Sequence, residues 1–569
     1  MESIQHYINE GILYEPVIPS IQDWPIAQLA QNKSTFLEEV VQDTQLRLTK
    51  GMADPTAGIQ EMIERTMYLE RIRMVEDPWK VDPKDEGKYW KDIRKQLIGN
   101  EQSGIPGPEM LANNEAMLGS IISRYANEIA GTFKPGSYHF AKRFLPFFFS
   151  TLLNASAGKT FKSVVKHNIG LQERVHLLGE VDMLRKLATK GTIVLVPTHF
   201  SNVDSILVGW SLHALGLPAF IYGAGLNLYN TKILAYFMNR LGAYTVDRRK
   251  KNAIYRETLN AYSTLAIMEG THSLFFPGGT RSRSGMIEKK LKLGLLGTAV
   301  EAQRRNFIGP PRSGSEKIFV VPMVMSYHFV LEANSLIKQY LRRTGQEQFY
   351  VADDESASYQ KFLQFVWTTF SSSSDIAMSF GKPMDIFGHF VDEHGMSYDH
   401  FGRPVDVREY FMTRGEIKED PQRDFEFTRM LAEQIVDRYH VENRVFSSHL
   451  VAFVAFNILK KRFGEFDLYA ILRLPEEERN ISLEEFHAVV ERVLGELRKM
   501  ADAGKVHLAA HMQNDTMGII NHGIKNLGIY HAKRPLTFVK KKEMLTSESM
   551  HLLYYYHNRM VGYELERYI

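Results

Sequence analysis

Directly after the short apolar run Thr192-Ile-Val-Leu-Val196, the stretch Thr198-His-Phe-Ser-Asn-Val-Asp204 sets a histidine and an aspartate five positions apart. A neutral imidazole takes a hydroxyl proton near pH 7, and a carboxylate on its other nitrogen fixes the tautomer and stabilises the imidazolium. The spacing alone is weak, because a chain with 20 histidines contains about one such pair by chance. Indeed a second pair, His394 and Asp399, lies in a Gly-rich stretch with no strand before it. Five residues apart on one helix, the two side chains point to different faces. His199 and Asp204 therefore meet only if a strand-to-helix turn bends the aspartate back. Two plainer readings stand beside this one: Ser201-x-x-Asp204 matches a capping box, and His199 suits a core position.

Pro277-Gly-Gly-Thr-Arg-Ser-Arg283 adds Arg281 and Arg283 beside the flexible Gly278 and Gly279. In an extended segment both arginines point to one side, a fork suited to a phosphate; two solvated loop arginines are the alternative. The loop lacks Gly-x-x-x-x-Gly-Lys-Ser/Thr, so it is no nucleotide P-loop. Asp247-Arg248-Arg249 brings two further cations after another strand-like run. The sequence shows no His-Glu-x-x-His or comparable cluster, and no metal or other cofactor is expected.

The elements that must position these groups alternate in type. Apolar runs at Thr192–Val196, Ala219–Tyr222, Ala243–Val246, Ser273–Phe276 and Ile318–Met325 read as buried strands. Helical stretches separate them: one from about Val203 to Gly216 with Pro218 beyond, one before Gly242, and one from about Asn252 to Gly270. Such alternation predicts an α/β domain with a mostly parallel sheet over 136–385, its functional groups gathered at the carboxyl ends of the strands. Residues 1–135 read as a helical region (Thr35 to Leu48, Gly58 to Arg73), with turn-rich breaks at Gly104–Pro108 and Lys134–Gly136. Residues 386–569 read as loop-rich and then mainly helical, with Phe387-Gly and Phe401-Gly turns and a capping box at Ser482-Leu-Glu-Glu485 that opens a helix toward Met500.

Length and composition narrow the function classes. The chain has 569 residues, 44% hydrophobic and 24% charged, as in ordinary globular proteins, which excludes bulk disorder, collagen and coiled coil. A net charge of +3 gives no footprint for nucleic acid. The absence of cysteine removes disulfides, zinc–thiolate sites and any cysteine acyl-enzyme, and fits a reducing compartment. The start, MESIQHYINEG, carries no apolar core of a secretory signal. No apolar run reaches the ~20 residues of a membrane-spanning helix. The two nearest, Phe144 to Leu153 preceded by Lys142 and Arg143, and His449 to Leu459 followed by Lys460-Lys-Arg462, have the length of buried core helices. The Phe144–Phe149 cluster is the better membrane contact of the two.

Together these stretches resemble the glycerolipid acyltransferases, the family of glycerol-3-phosphate and lysophosphatidic acid acyltransferases. Pro197-Thr-His-Phe-Ser-Asn-Val-Asp204 is similar to the family's first block, in which the His is the base and the Asp its partner. Gly242-Ala-Tyr-Thr-Val-Asp-Arg-Arg249 resembles the second, and Phe276-Pro-Gly-Gly-Thr-Arg-Ser-Arg283 the third, which is associated with the acceptor's phosphate. Val321-Pro-Met-Val-Met-Ser-Tyr327 resembles the fourth, an apolar strand implicated in placing the donor or acceptor. The four blocks in order carry the likeness together, each being weak alone. One position departs from the pattern: the third block usually has Glu between Pro and Gly, and this chain has Gly278.

The resemblance implies an acyltransferase core flanked by helical regions. It implies His199 and Asp204 as the catalytic pair, Arg281, Arg283, Arg248, Arg249 and Lys292 around the acceptor's phosphate, and Gly278, Gly279 and Thr280 in the loop near the acceptor. Val246-Asp-Arg248 and Thr280 lean toward lysophosphatidic acid as acceptor. The run Arg281-Ser-Arg-Ser-Gly…Lys292-x-Gly294, the Tyr327-His-Phe-Val-Leu-Glu332 continuation, the late Leu553-Tyr-Tyr-Tyr-His-Asn558 and the flanking helical regions favour glycerol-3-phosphate. The implied reaction is direct attack by the acceptor's hydroxyl on an acyl thioester, acyl-CoA or acyl-carrier protein, at a cytoplasmic location, peripheral on the cytosolic face of a membrane. Rival readings are a serine hydrolase using Ser201 or Ser205, for which no Gly-x-Ser-x-Gly elbow is present, and a non-enzymatic phospholipid-binding protein.

Overall fold

A computed structural model describes residues 14–102, 106–139, 175–226, 240–344, 375–539 and 543–569. Among the described residues, seven strands form the central sheet: β1 Val175–Gly179, β2 Thr192–Pro197, β3 Ile221–Gly225, β4 Ala243–Val246, β5 Ser273–Leu274, β6 Ile318–Tyr327 and β7 Ile376–Phe380. Their order is β1-β7-β6-β2-β5-β3-β4. From β6 to β4 every pairing is parallel; β7 runs antiparallel to β6, and β1 runs parallel to β7. The expected mostly parallel sheet is therefore present, with a reversed pair added at one edge.

The helices are α1 Pro25–Gln31, α2 Lys33–Thr49, α3 Pro55–Glu76, α4 Glu86–Gln102 and α5 Gly107–Ile129 before the sheet. Between and after its strands come α6 Val181–Leu187, α7 Asp204–Ala214, α8 Ala253–Met268, α9 Leu293–Ile308 and α10 Ala333–Arg343. Beyond the sheet lie α11 Pro421–Glu442, α12 Ser447–Arg462, α13 Leu468–Leu472, α14 Leu483–Asp502, α15 Thr516–Asn526 and α16 Met550–His557. Local chemistry sets many ends. Asn252 caps α8 by accepting the Tyr255 N–H, and Ser482 caps α14 by accepting the Glu485 N–H. Gly216, at φ +66°, closes α7 in the left-handed conformation that its place before Pro218 suggests.

Strands buried on both sides distribute alternate residues to two cores. Ile193 and Leu195 of β2, with Val321, Met323 and Met325 of β6, face α7, α10 and the C-terminal bundle of α12, α14, α15 and α16. Val194 and Val196, with Val320 and Val324, face α8, α9, α11 and the N-terminal helices. The N-terminal region thus covers one face of the sheet together with α11, and the other C-terminal helices cover the opposite face. Near the expected boundaries, Phe133 bridges to Leu241, and Met384 bridges to Val320 of β6.

The segment 449–459 lies within α12, whose residues 447–459 are all buried. A helix apolar on every side belongs inside a bundle, so this run is a core helix. The Phe144–Phe149 cluster with Lys142 and Arg143 lies outside the described residues. Among the described residues, no helix is long and apolar enough to cross a membrane. Phe453, fully buried in α12, provides a check on this packing. Phe453→Ala is expected to lower unfolding free energy by about 3–5 kcal/mol, measured as a shifted urea midpoint with an unchanged slope.

Candidate functional site

β2 ends at Pro197, the chain turns through 198–203, and α7 begins at Asp204. This turn brings the carboxylate back onto the imidazole: His199 Nδ1 lies 2.9 Å from Asp204 Oδ2. Asp204 is completely buried. Its Oδ2 also accepts the backbone N–H groups of Phe200 (2.6 Å) and Ser201 (2.9 Å), and its Oδ1 accepts the Tyr327 O–H (2.6 Å). A buried carboxylate acts only as acceptor, so the facing imidazole nitrogen Nδ1 carries the proton and Nε2 keeps its lone pair. Among the described residues nothing hydrogen-bonds to that Nε2, and the ring stacks on Phe276 with centroids 4.2 Å apart. Only half of a capping box forms: the Asp204 carboxylate takes the Ser201 N–H, but the residue before the helix is Val203, no side chain caps it, and the Ser201 hydroxyl points to Glu332. His394 and Asp399 do not meet: His394 is exposed, and Asp399 pairs with Arg403 at 2.7 Å.

Beside this turn is a cleft of about 250 Å³ whose walls include Gly278, Thr280, Arg281, Arg283, Glu288 and Arg343. His199 is not part of the wall but is tied to it by backbone bonds. Its C=O accepts the Ser282 N–H at 2.7 Å, and its N–H donates to Glu288 Oε1 at 3.2 Å. Arg281 and Arg283 thus share one cleft, as their spacing predicts, although their segment is a loop rather than a strand. The turn that precedes them needs Gly279, which sits at φ +76° and donates its N–H to the Phe276 C=O. Arg281 bonds Glu332 at 3.1 Å. Glu332, itself buried, also accepts the Ser201 hydroxyl and the Asn202 N–H, both at 3.0 Å. The Ser201 hydroxyl thus donates to a carboxylate and has no imidazole to activate it.

Arg283 differs from Arg281. Among the described residues it has no ion-pair partner, and its surroundings are cationic. Burial and then the neighbouring Arg343, Arg281 and Arg248 push its guanidinium pKa down. Cations held together without matching acids form a site for an anion, and the forked donors of arginine suit phosphate oxygens.

Other residues of the expected set lie elsewhere. Arg249 is turned away: it bonds Asp247 at 2.9 and 2.8 Å, Asp82 at 3.1 Å and the Asp77 C=O at 2.8 Å, and it lies over the Trp79 ring. It fastens the loop after β4 to the N-terminal region, next to a second tie in which Lys250 bonds Glu128. This corrects the sequence-based grouping. With its guanidinium taken by Asp247 and Asp82, Arg249 does not join Arg248 at a phosphate. Lys292 is exposed, with its stem beside Gly279 and its N–H on the Pro277 C=O, and it does not line the cleft. Thr280 does line it.

The structure adds residues without a readable sequence signal. Arg343 comes from α10. Arg559, fully buried, donates to the Met325 C=O, to Ser326 Oγ (3.2 Å) and to Asn443 Oδ1 (3.1 Å), and lies over the Phe200 ring. Burial lowers its pKa to about 10. His328, His511 and His522, far apart in sequence, bring one ring nitrogen each within 4.8 Å of the others. His511 Nε2 accepts the Ser447 N–H at 3.0 Å, so its Nδ1 holds the proton and has no lone pair for a metal. The trio does not fit a metal site.

Arg249→Ala is expected to lower stability by on the order of 3 kcal/mol, because Asp82 and Asp247 lose their shared cation. In variants that remain folded, the KM for a phosphate-bearing acceptor should stay within about twofold of the parent protein. Thermal melts and steady-state kinetics on the same samples check both halves.

Comparison with known proteins agrees with this geometry. Residues 179–326 match the family model described as Acyltransferase. Similar curated proteins include the glycerol-3-phosphate acyltransferase of Pseudomonas paraeruginosa, 27% identical over 277 residues (48% of this chain, 28% of that protein). That of Hamiltonella defensa is 33% identical over 172 residues (30% and 20%). That of Xanthomonas axonopodis is 25% identical over 300 residues (52% and 30%). The aligned part thus spans less than a third of these relatives' own length. The four blocks, the sheet and these matches agree: residues 179–326 form a domain of the kind the family model describes as Acyltransferase, similar to part of the glycerol-3-phosphate acyltransferases named above.

Proposed function

We propose that this chain transfers a fatty acyl group from an acyl thioester, acyl-CoA or acyl-carrier protein, to the sn-1 hydroxyl of glycerol-3-phosphate, with the His199–Asp204 pair as general base. One observation carries the reading: an imidazole with one nitrogen held by a buried carboxylate and the other open lies next to a cleft in which Arg283 is surrounded by other arginines. Arg283, with Arg281 and Arg343, binds the acceptor's phosphate and so brings its hydroxyl toward Nε2. As the hydroxyl oxygen attacks the thioester carbonyl, its proton passes to Nε2, and Asp204 stabilises the imidazolium. Collapse of the tetrahedral intermediate breaks the C–S bond, and the proton leaves with the thiol. The domain's own residues supply each of these roles, so no cofactor is required.

The product of this reaction is a lipid, which supports reversible association with a membrane surface, and the reading places that surface on the cytosolic side. Lysophosphatidic acid, acylated at sn-2, is the alternative acceptor. The engagement of Ser201 by Glu332 counts against the serine hydrolase. The His199–Asp204 arrangement, which mere phospholipid binding has no use for, counts against a non-enzymatic lipid-binding protein.

His199→Ala is expected to lose between about a hundredfold and ten-thousandfold in turnover while its melt stays at the parent temperature. Asp204→Asn should lose less than His199→Ala, and His394→Ala should be close to the parent. Equal activity in His199→Ala and His394→Ala would contradict the assignment. For the phosphate, Arg283→Ala should raise the KM for glycerol-3-phosphate about ten- to a hundredfold and leave that for the thioester unchanged. Varying each substrate in turn decides it: a rise confined to the donor's KM would move the phosphate site away from Arg283.

A further inference from the structure

Gly278 removes the carboxylate that the third block's pattern leads one to expect, yet the place beside it is not empty. A Cβ built on Gly278 would lie 2.9 Å from Glu288 Cγ and 3.0 Å from Glu288 Oε1, with Glu288 Cδ next at 3.4 Å. All three nearest atoms belong to Glu288. The two positions exclude each other, and a side chain at 278 would run into the space the Glu288 carboxyl fills.

We propose that Glu288 is a positioning residue that supplies, from further along the loop, the carboxyl group missing at Gly278, and thereby holds the His199 turn against the phosphate-binding loop. The proposal rests on the reading of His199 as base and assigns the group that sets its place. Glu288 Oε1 accepts the His199 backbone N–H, and the residue lines the arginine cleft. It therefore touches both halves of the site with one side chain. Among the described residues, Oε2 is buried with no hydrogen-bond partner. Leaving such an atom without a partner in a protein interior is costly, a cost usually retained where a group has a role. Burial pushes this carboxyl pKa up to about 7, against the lowering effect of its own and the His199 N–H groups and of Arg559. The lost side chain at 278 is what allows this arrangement, and the backbone there is not left-handed, so a side chain is tolerated once Glu288 is cut back.

The test is a reciprocal transfer. Glu288→Ala should lower kcat at least tenfold with the thioester KM unchanged, because the base is displaced while the donor's binding surface is intact. Gly278→Glu alone should be equally or more damaged, because the new Cβ collides with Glu288. The double variant Gly278→Glu/Glu288→Ala removes all three colliding atoms and returns a carboxylate to the same space, so it should recover to within about fivefold of the parent. A double variant no better than Glu288→Ala, or a fully active Gly278→Glu, overturns the proposal. Glu288→Gln retains the shape and an oxygen for the His199 N–H, and it keeps the test open if the others fold poorly. It should turn over faster than Glu288→Ala, and equality of the two would also overturn the assignment. His199→Ala, run alongside, separates the levels. If it is active, the base reading fails; if it is inactive while the transfer fails, only the role of Glu288 is lost.

Discussion

A carboxylate removed entirely from water must find donors for its oxygens, and Asp204 is the point on which this site turns. The Phe200 and Ser201 N–H groups come from the turn after β2, and the Tyr327 O–H comes from the end of β6. The fourth partner is the His199 imidazole. In satisfying the aspartate, the protein folds the strand-to-helix turn tightly enough for residues five apart to meet. It also joins two neighbouring parallel strands at their carboxyl ends and fixes which imidazole nitrogen is open. Orientation and tautomer are thus consequences of burying one charge without leaving it unpaired.

The cations of the site divide by whether they are matched. Arg249 is saturated by Asp247 and Asp82 and acts as a tie to the N-terminal helices. Arg281 is half-committed, through Glu332, to the same turn that carries His199. Arg283 is left in a field of like charge. This gradient, more than the number of arginines, marks where an anion belongs. The outer layers help to maintain it: the N-terminal region removes Arg249 from the cleft, and the C-terminal region sends Arg559 beneath the loop at Phe200.

Much of this was legible in the sequence, for physical reasons. β2 and β6 are continuous apolar runs because both their faces are buried, and Gly216 and Asn252 mark helix ends by their own conformational preferences. β1 and β7 were not legible: Val-His-Leu-Leu-Gly and Ile-Ala-Met-Ser-Phe are short and low in β-branched residues, and their pairing gives them their identity. The His199–Asp204 pair was distinguishable from His394 and Asp399 only by the strand before it, and in the structure the first pair meets while the second does not. Arg249 was misassigned because spacing does not reveal that an acid two residues back and another from the N-terminal region capture its guanidinium. Glu332, Arg343, Glu288 and Arg559 reach the site from separate places along the chain, and only the folded backbone brings them there.

The central claim is that this site activates an alcohol carrying a phosphate toward a thioester. The most direct measurement is radiolabelled acyl transfer by the pure protein, offered glycerol-3-phosphate and lysophosphatidic acid separately, with the position of the new ester determined in the product. The account predicts labelled 1-acyl-glycerol-3-phosphate as the main product, formed with release of thiol. Labelled phosphatidic acid from lysophosphatidic acid alone would contradict the choice of acceptor, and labelled free fatty acid without any ester would contradict acyl transfer itself.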